Sequence, residues 1–167
     1  SYEFNLDRNG KGNIIDSTRN YLAIIKNDPL YKGKFAMNEL TGRPEKIVDG
    51  KKELWSDVDV SLLQCYIEEK YYISNEKKLR HALRIIFHEN SYHPIKDIIN
   101  VLEWDGIPRL ETLLIKHLKV EDSPYSREAT RLIFAGGINR LYNPGCKFDD
   151  MVVLIGKNQG EGKSTFV

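Results

Sequence analysis

Apolar residues recur at helical spacing along most of this chain, and the breaks in that rhythm mark its elements. Residues 1–15 are polar and rich in Asn and Gly, and read as a flexible arm. Tyr21, Leu22 and Ile25 then share one face of a helix that starts near Asp16 or Ser17 and stops at Asp28-Pro29. Phe35-Ala36-Met37 and Lys46-Ile47-Val48 read as short strands around Thr41-Gly42, with Asp49-Gly50 marking a further turn. Trp55 leads into a helix opened near Asp57 or Asp59 and carrying Leu62, Leu63, Tyr66 and Ile67. Ser74 is placed to cap the next helix, on which Leu79, Leu83, Ile86 and Phe87 keep helical spacing. His93-Pro94 starts a shorter helix through Ile98 and Leu102, and Trp104-Asp105-Gly106 closes it. Another helix follows Pro108, and Ser123-Pro124 opens a last one, which runs to about Leu141 and ends at Asn143-Pro144-Gly145.

After that the pattern changes. Met151-Val152-Val153-Leu154-Ile155 is a continuous apolar run, the mark of a strand covered on both faces in a parallel sheet. The expected fold class is therefore mainly α with a small β-hairpin (α+β), followed by the first strand and phosphate loop of an α/β ATPase domain. The expected domains are residues 1–143, helical with the hairpin, and residues 144–167, the start of the second domain.

The run Gly156-Lys157-Asn158-Gln159-Gly160-Glu161-Gly162-Lys163-Ser164-Thr165 follows the apolar segment directly. Glycines let the backbone curl so that successive N–H groups point at phosphate oxygens, and a helix opening at Gly162 would aim its N-terminus at the same anion. Lys163 would reach the β- and γ-phosphates of ATP, and the Ser164 hydroxyl would bind Mg²⁺ through the nucleotide. Gly156, Gly160, Gly162, Lys163, Ser164 and Thr165 are thus the expected nucleotide-binding residues, with Lys163 catalytic. The standard pattern places about four residues between its first glycine and Gly-Lys, whereas Gly156 and Gly162 enclose one more, so Lys157 stands where that glycine belongs. Because only Thr165, Phe166 and Val167 follow Ser164, the sequence reads as cut off just past this loop.

Several blocks resemble the virulence-associated protein E family: Phe35-x-x-Asn38-Glu39-Leu40-Thr41-Gly42-Arg43, Glu89-Asn90-x-x-His93-Pro94, Leu102-x-Trp104-Asp105-Gly106-Ile107-Pro108-Arg109-Leu110, Ser123-Pro124-Tyr125 and Pro144-Gly145-Cys146-Lys147-Phe148-Asp149. The likeness runs from about Asn20 to the end. It implies a phage or plasmid protein similar to superfamily-3 replication helicases, a DNA-dependent ATPase that assembles as a homo-oligomeric ring. By the same resemblance Gly160, Gly162, Lys163 and Ser164 carry over as nucleotide ligands.

Charge neither supplies nor excludes a nucleic-acid partner: 25 Lys and Arg stand against 24 Asp and Glu, a formal net charge of +1. A local basic face does occur, since Lys77, Lys78, Arg80, His81 and Arg84 share one helix, and Lys77, Lys78, Arg80 and Arg84 are the expected DNA contacts. No apolar run reaches the ~18–20 residues that span a bilayer, so no membrane partner is expected. Cys65 and Cys146 read as buried thiols in a reducing, cytoplasmic setting.

Other patterns fit structural roles better. Asp7-x-Asn9-x-Lys11-Gly12 begins like a calcium loop but has Lys11 and Thr18 at ligand positions. His88 and His93 are five apart with Pro94 next, wrong for a zinc-binding helix, and His93 is expected to hydrogen-bond at a helix entrance. Asp57 and Asp59 suit a helix N-terminus, and Trp104 is expected to pack as a turn anchor. Besides the motor, two other functions fit the sequence: an adaptor that binds DNA or a partner without motor activity, and a P-loop kinase or signalling NTPase.

Overall fold

The computed structural model describes residues 4–156, which divide into two compact units, one through Val101 and one from Leu102. The boundary expected at residues 143–145 falls inside the second unit. The fold is α+β, with six α-helices and one mixed four-stranded sheet among the described residues.

The first unit comprises α1 (Thr18–Asn27), β1 (Phe35–Asn38), β2 (Arg43–Val48), β3 (Lys51–Leu54), α2 (Asp57–Tyr71), α3 (Glu76–Glu89), β4 (Ser91–Tyr92) and α4 (Pro94–Val101). Its helices start where the sequence offers caps. Ser17 accepts from the N–H of Asn20, Ser56 and Asp59 form a reciprocal capping box, and Asn75 rather than Ser74 caps α3. His93 Nδ1 accepts from the Lys96 N–H at the start of α4, as expected.

The sheet runs β3-β2-β1-β4, with antiparallel pairs β1–β2 and β2–β3 and a parallel pair β1–β4. It exceeds the single hairpin that the sequence reading allowed. β3 consists of exposed Lys51-Lys52-Glu53-Leu54, so no apolar alternation announces it. The turn before it has φ of 49° at Asp49 and 76° at Gly50, the left-handed pair that joins tightly linked antiparallel strands. β4 is two residues long, too short for any periodic signal.

One face of the sheet meets α1, α2 and α3 in a core that includes Tyr21, Ile24, Ile25, Phe35, Leu63, Ile67, Leu79, Leu83 and Phe87. The first residues are packed, which corrects the expected flexible arm. Phe4, Leu6 and Ile14 lie against this core, and Arg8 bridges to Ile14. The buried Asn20 amide ties the arm down, accepting from the Asp7 N–H at 2.9 Å and donating to the carbonyls of Asp7 and Ile15.

In the second unit a 3-10 turn (Leu110–Thr112), α5 (Leu113–Leu118) and α6 (Pro124–Tyr142) pack together. Ser123 and Ser126 form the capping box of α6, with Pro124 at its first position. The chain then turns back through Gly145, at φ 86°, and the Phe148 ring lies against α6 at Gly136. A Cβ built on Gly136 would sit 2.2 Å from that ring, so glycine is what admits the contact.

Met151–Ile155 has no strand partner among the described residues, so the expected strand is not shown there. A strand needs neighbours for its backbone N–H and C=O groups, and the described residues provide none here. Val152 and Leu154 are nonetheless half-buried while Met151, Val153 and Ile155 are exposed, a period of two.

Candidate functional site

Of the expected nucleotide ligands, Gly156 is described and exposed; Gly160, Gly162, Lys163, Ser164 and Thr165 lie outside the described residues, as does Lys157. The described structure therefore shows only the segment that precedes the glycine-rich run. That segment is fixed by a short sequence of contacts. The Cys146 N–H donates to the Asn143 carbonyl at 3.0 Å, Arg140 Nη2 donates to the Phe148 carbonyl at 3.0 Å, and the Arg140 guanidinium lies 5.6 Å from the Phe148 ring centre. Beyond this reversal, Val152 and Leu154 line a cavity of about 830 Å³ together with Leu114, Leu118 and Leu132.

The expected DNA-binding helix, α3, is amphipathic. Leu79, Ala82, Leu83, Ile86 and Phe87 are buried, and the opposite face carries the basic residues. The structure separates the four expected contacts into two pairs. Lys78 is drawn back to Asp16, donating to its carbonyl and lying 3.4 Å from its carboxylate. Arg80 donates to Glu76 at 2.7 Å and to Asp57 at 3.3 Å, and these hydrogen bonds raise its pKa. Lys77 and Arg84 are exposed and make no ion pair or hydrogen bond with any described residue. His81 and His88 continue the same exposed line, so Lys77, His81, Arg84 and His88 follow one another along α3.

Beside α3 lies a groove of about 800 Å³ whose lining includes Met37, Trp55, Leu83 and Phe87, with Arg84 and His88 also on its wall. Trp55 is half-buried, its ring 5.2 Å from that of Phe35 and 5.7 Å from that of Phe87. The sequence reading assigned Trp55 no functional role. An indole between a turn and a helix cap has no distinctive spacing, and only the fold brings it to the basic helix.

Other expected roles also have answers. Asp59 accepts from Ser56 and pairs with Lys46 at 2.7 Å, so it serves the helix cap and the sheet. Burial opposes charge on Asp59, but hydrogen bonds from Lys46 and Ser56 hold its pKa below the usual carboxylate value. Trp104 is 80% exposed, which corrects the expected packed anchor. The turn is held instead by Asp105, which accepts twice from Arg109 at 2.8 and 2.6 Å, and by Gly106 at φ 80°. Cys65 is exposed because it lies on the side of α2 away from Val60, Leu63 and Ile67; Cys146 is half-buried.

In the second unit the helices α5 and α6 are followed by an extended apolar segment, after which the sequence continues into a glycine-rich run. Residues 99–167 match the family model of the virulence-associated protein E-like domain. The match takes in the Trp104–Leu110 and Pro144–Asp149 blocks; the blocks at Phe35–Arg43 and Glu89–Pro94 lie before it. A search of curated proteins finds no match to the chain. No helix among the described residues is long and apolar enough to cross a membrane.

Proposed function

We propose that this chain is part of a mobile-element replication ATPase that binds ATP and Mg²⁺ through residues 156–165 and uses hydrolysis to unwind DNA. The observation that carries the reading is the period-two segment Met151–Ile155. Val152 and Leu154 are half-buried, while Met151, Val153 and Ile155 are exposed. A strand inside a parallel sheet needs apolar side chains on both faces, and a strand leading into a glycine-rich turn and helix is the frame of a phosphate loop. The family match spans this whole stretch.

In this reading Gly160 and Gly162 open the backbone to the phosphates, Lys163 offsets charge on the transferring phosphoryl group, and Ser164 holds Mg²⁺. Thr165 continues the helix that faces the anion. DNA is met by the exposed face of α3, and subunits form a homo-oligomeric ring in the cytoplasm. The test is Lys163→Ala in a chain that continues through the rest of the motor domain. ATP hydrolysis should vanish while the melting temperature holds; turnover that survives the substitution would overturn the reading. Deleting Asn158, which restores the standard spacing, should leave activity if the additional residue is a bulge.

One observation favours an adaptor reading beside the motor. The unpaired cations Lys77 and Arg84 lie in the first unit, before the matched family segment. An adaptor would bind DNA with the same affinity whether or not ATP is present and whether or not Lys163 is intact.

A further inference from the structure

The basic line on α3 and the Trp55 groove are usually separate kinds of feature, but here two residues belong to both. Arg84 and His88 stand on the exposed line and also on the groove wall. Cations beside a groove with an aromatic ring in its lining match the chemistry of one nucleic-acid strand, whose phosphates need positive charge and whose bases need flat apolar surfaces. A duplex keeps its bases stacked inside and offers only the first of these.

The groove's other charges fit such an occupant. Asp57 on its wall is engaged by Arg80 at 3.3 Å, which offsets its repulsion of phosphate. Glu39, also on the wall, is exposed, so solvent screens its charge. Phe35 and Phe87 contact each other and both contact the indole, so its position is set before any ligand arrives.

We propose that the first unit binds single-stranded DNA, with phosphates along Lys77, Arg84 and the neighbouring histidines and one base seated against Trp55 in the groove. This rests on the DNA reading given above, and adds that the strand is single and that a base leaves the stack to enter the protein.

The experiment uses the 167-residue chain with Trp104→Phe, which leaves Trp55 as its one indole, since the sequence has two tryptophans. A twenty-nucleotide oligo(dT) and a twenty-base-pair duplex are titrated at several salt concentrations. Oligo(dT) should quench Trp55 fluorescence and bind at least about tenfold more tightly than the duplex. Lys77→Glu with Arg84→Glu should weaken binding and flatten its salt dependence. Trp55→Leu should cost roughly tenfold for oligo(dT) and leave the salt dependence in place. Because Trp55→Leu also removes ring contacts, quenching of the intact indole remains the primary readout if that variant unfolds. Equal binding of the duplex, or oligo(dT) binding with Trp55 fluorescence unchanged, would overturn the groove while leaving phosphate contacts on α3. Absence of binding to either nucleic acid would overturn the proposal together with the DNA reading, and would leave the ATP reading to its own Lys163 test.

Discussion

At the scale of single residues, Asp28 does more than end a helix. Its carboxylate is 1% exposed and accepts from Tyr66, from Tyr71 at 2.5 Å, from Lys70 at 2.8 Å and from the Leu30 N–H at 2.9 Å. Burial alone would raise its pKa, but these hydrogen bonds outweigh that and lower it from 3.8 to about 2. A carboxylate with a depressed pKa stabilises the fold above its unfolded value, and the contribution is lost as pH falls towards the folded value. The first unit should therefore lose roughly 2 kcal/mol between about pH 4 and pH 2 from this group. Asp28→Asn should be destabilised at neutral pH and should flatten that acid limb in urea melts. An unchanged acid limb would mean that other carboxylates dominate it. The adjacent glycines of α6 give a second contrast. Gly136 faces the Phe148 ring, whereas nothing lies within 4 Å of a Cβ built on Gly137. Gly136→Ala should cost about 1–3 kcal/mol by overpacking, and Gly137→Ala should gain about 0.5–1 kcal/mol through helix propensity. Thermal melts of the two variants should move in opposite directions.

At the scale of elements, the caps were the most legible feature. Ser17, Asp28-Pro29, Asp57 and Asp59, His93-Pro94 and Ser123-Pro124 each carry local chemistry that either suits a helix end or bars continuation, so α1, α2, α4 and α6 follow from neighbouring residues alone, although the cap of α2 is Ser56. Ser123→Ala should accordingly destabilise α6 by about 1 kcal/mol, read as a lowered melting temperature of the second unit. The sheet was only half legible. β1 and β2 have apolar positions, but β3 is charged and β4 pairs with β1 through just Met37–Ser91 and Asn38–Tyr92. Asp49-Gly50 was a readable signal for β3, because those two residues favour the tight turn found there. The polar network behind the sheet had no such signal. Tyr92 donates to Glu45 at 2.7 Å, Asn38 donates to Glu45 at 3.0 Å and to the Tyr92 hydroxyl at 3.3 Å, and Lys52 lies over the Tyr92 ring, with partners up to fifty-four positions apart in sequence. The candidate site divides along the same line. The cations of α3 show in the sequence as a periodic face, but which of them stay unpaired depends on Asp16 and Asp57, which only the fold brings near.

At the scale of the whole molecule, the core of the first unit is complete in itself, since its buried cluster runs from Tyr21 to Phe87. Residues 1–101 expressed alone should fold with one cooperative transition and keep α3 formed; a broad, non-cooperative melt would show that the unit depends on the rest of the chain. One further consequence follows from the outermost strand. Among the described residues β3 has no strand partner on its outer side, and its residues are Lys51, Lys52, Glu53 and Leu54, all exposed. An open strand edge invites a second molecule to add its own strand, and charged side chains make that addition unfavourable. At the other side the two-residue β4 gives little length to extend. The ring assembly proposed above would hold subunits at high local concentration, where stray strand pairing would compete with ordered assembly. Charge on β3 would keep those encounters unproductive, and replacing Lys51 and Lys52 with valine should turn a soluble preparation into one that precipitates as its concentration rises.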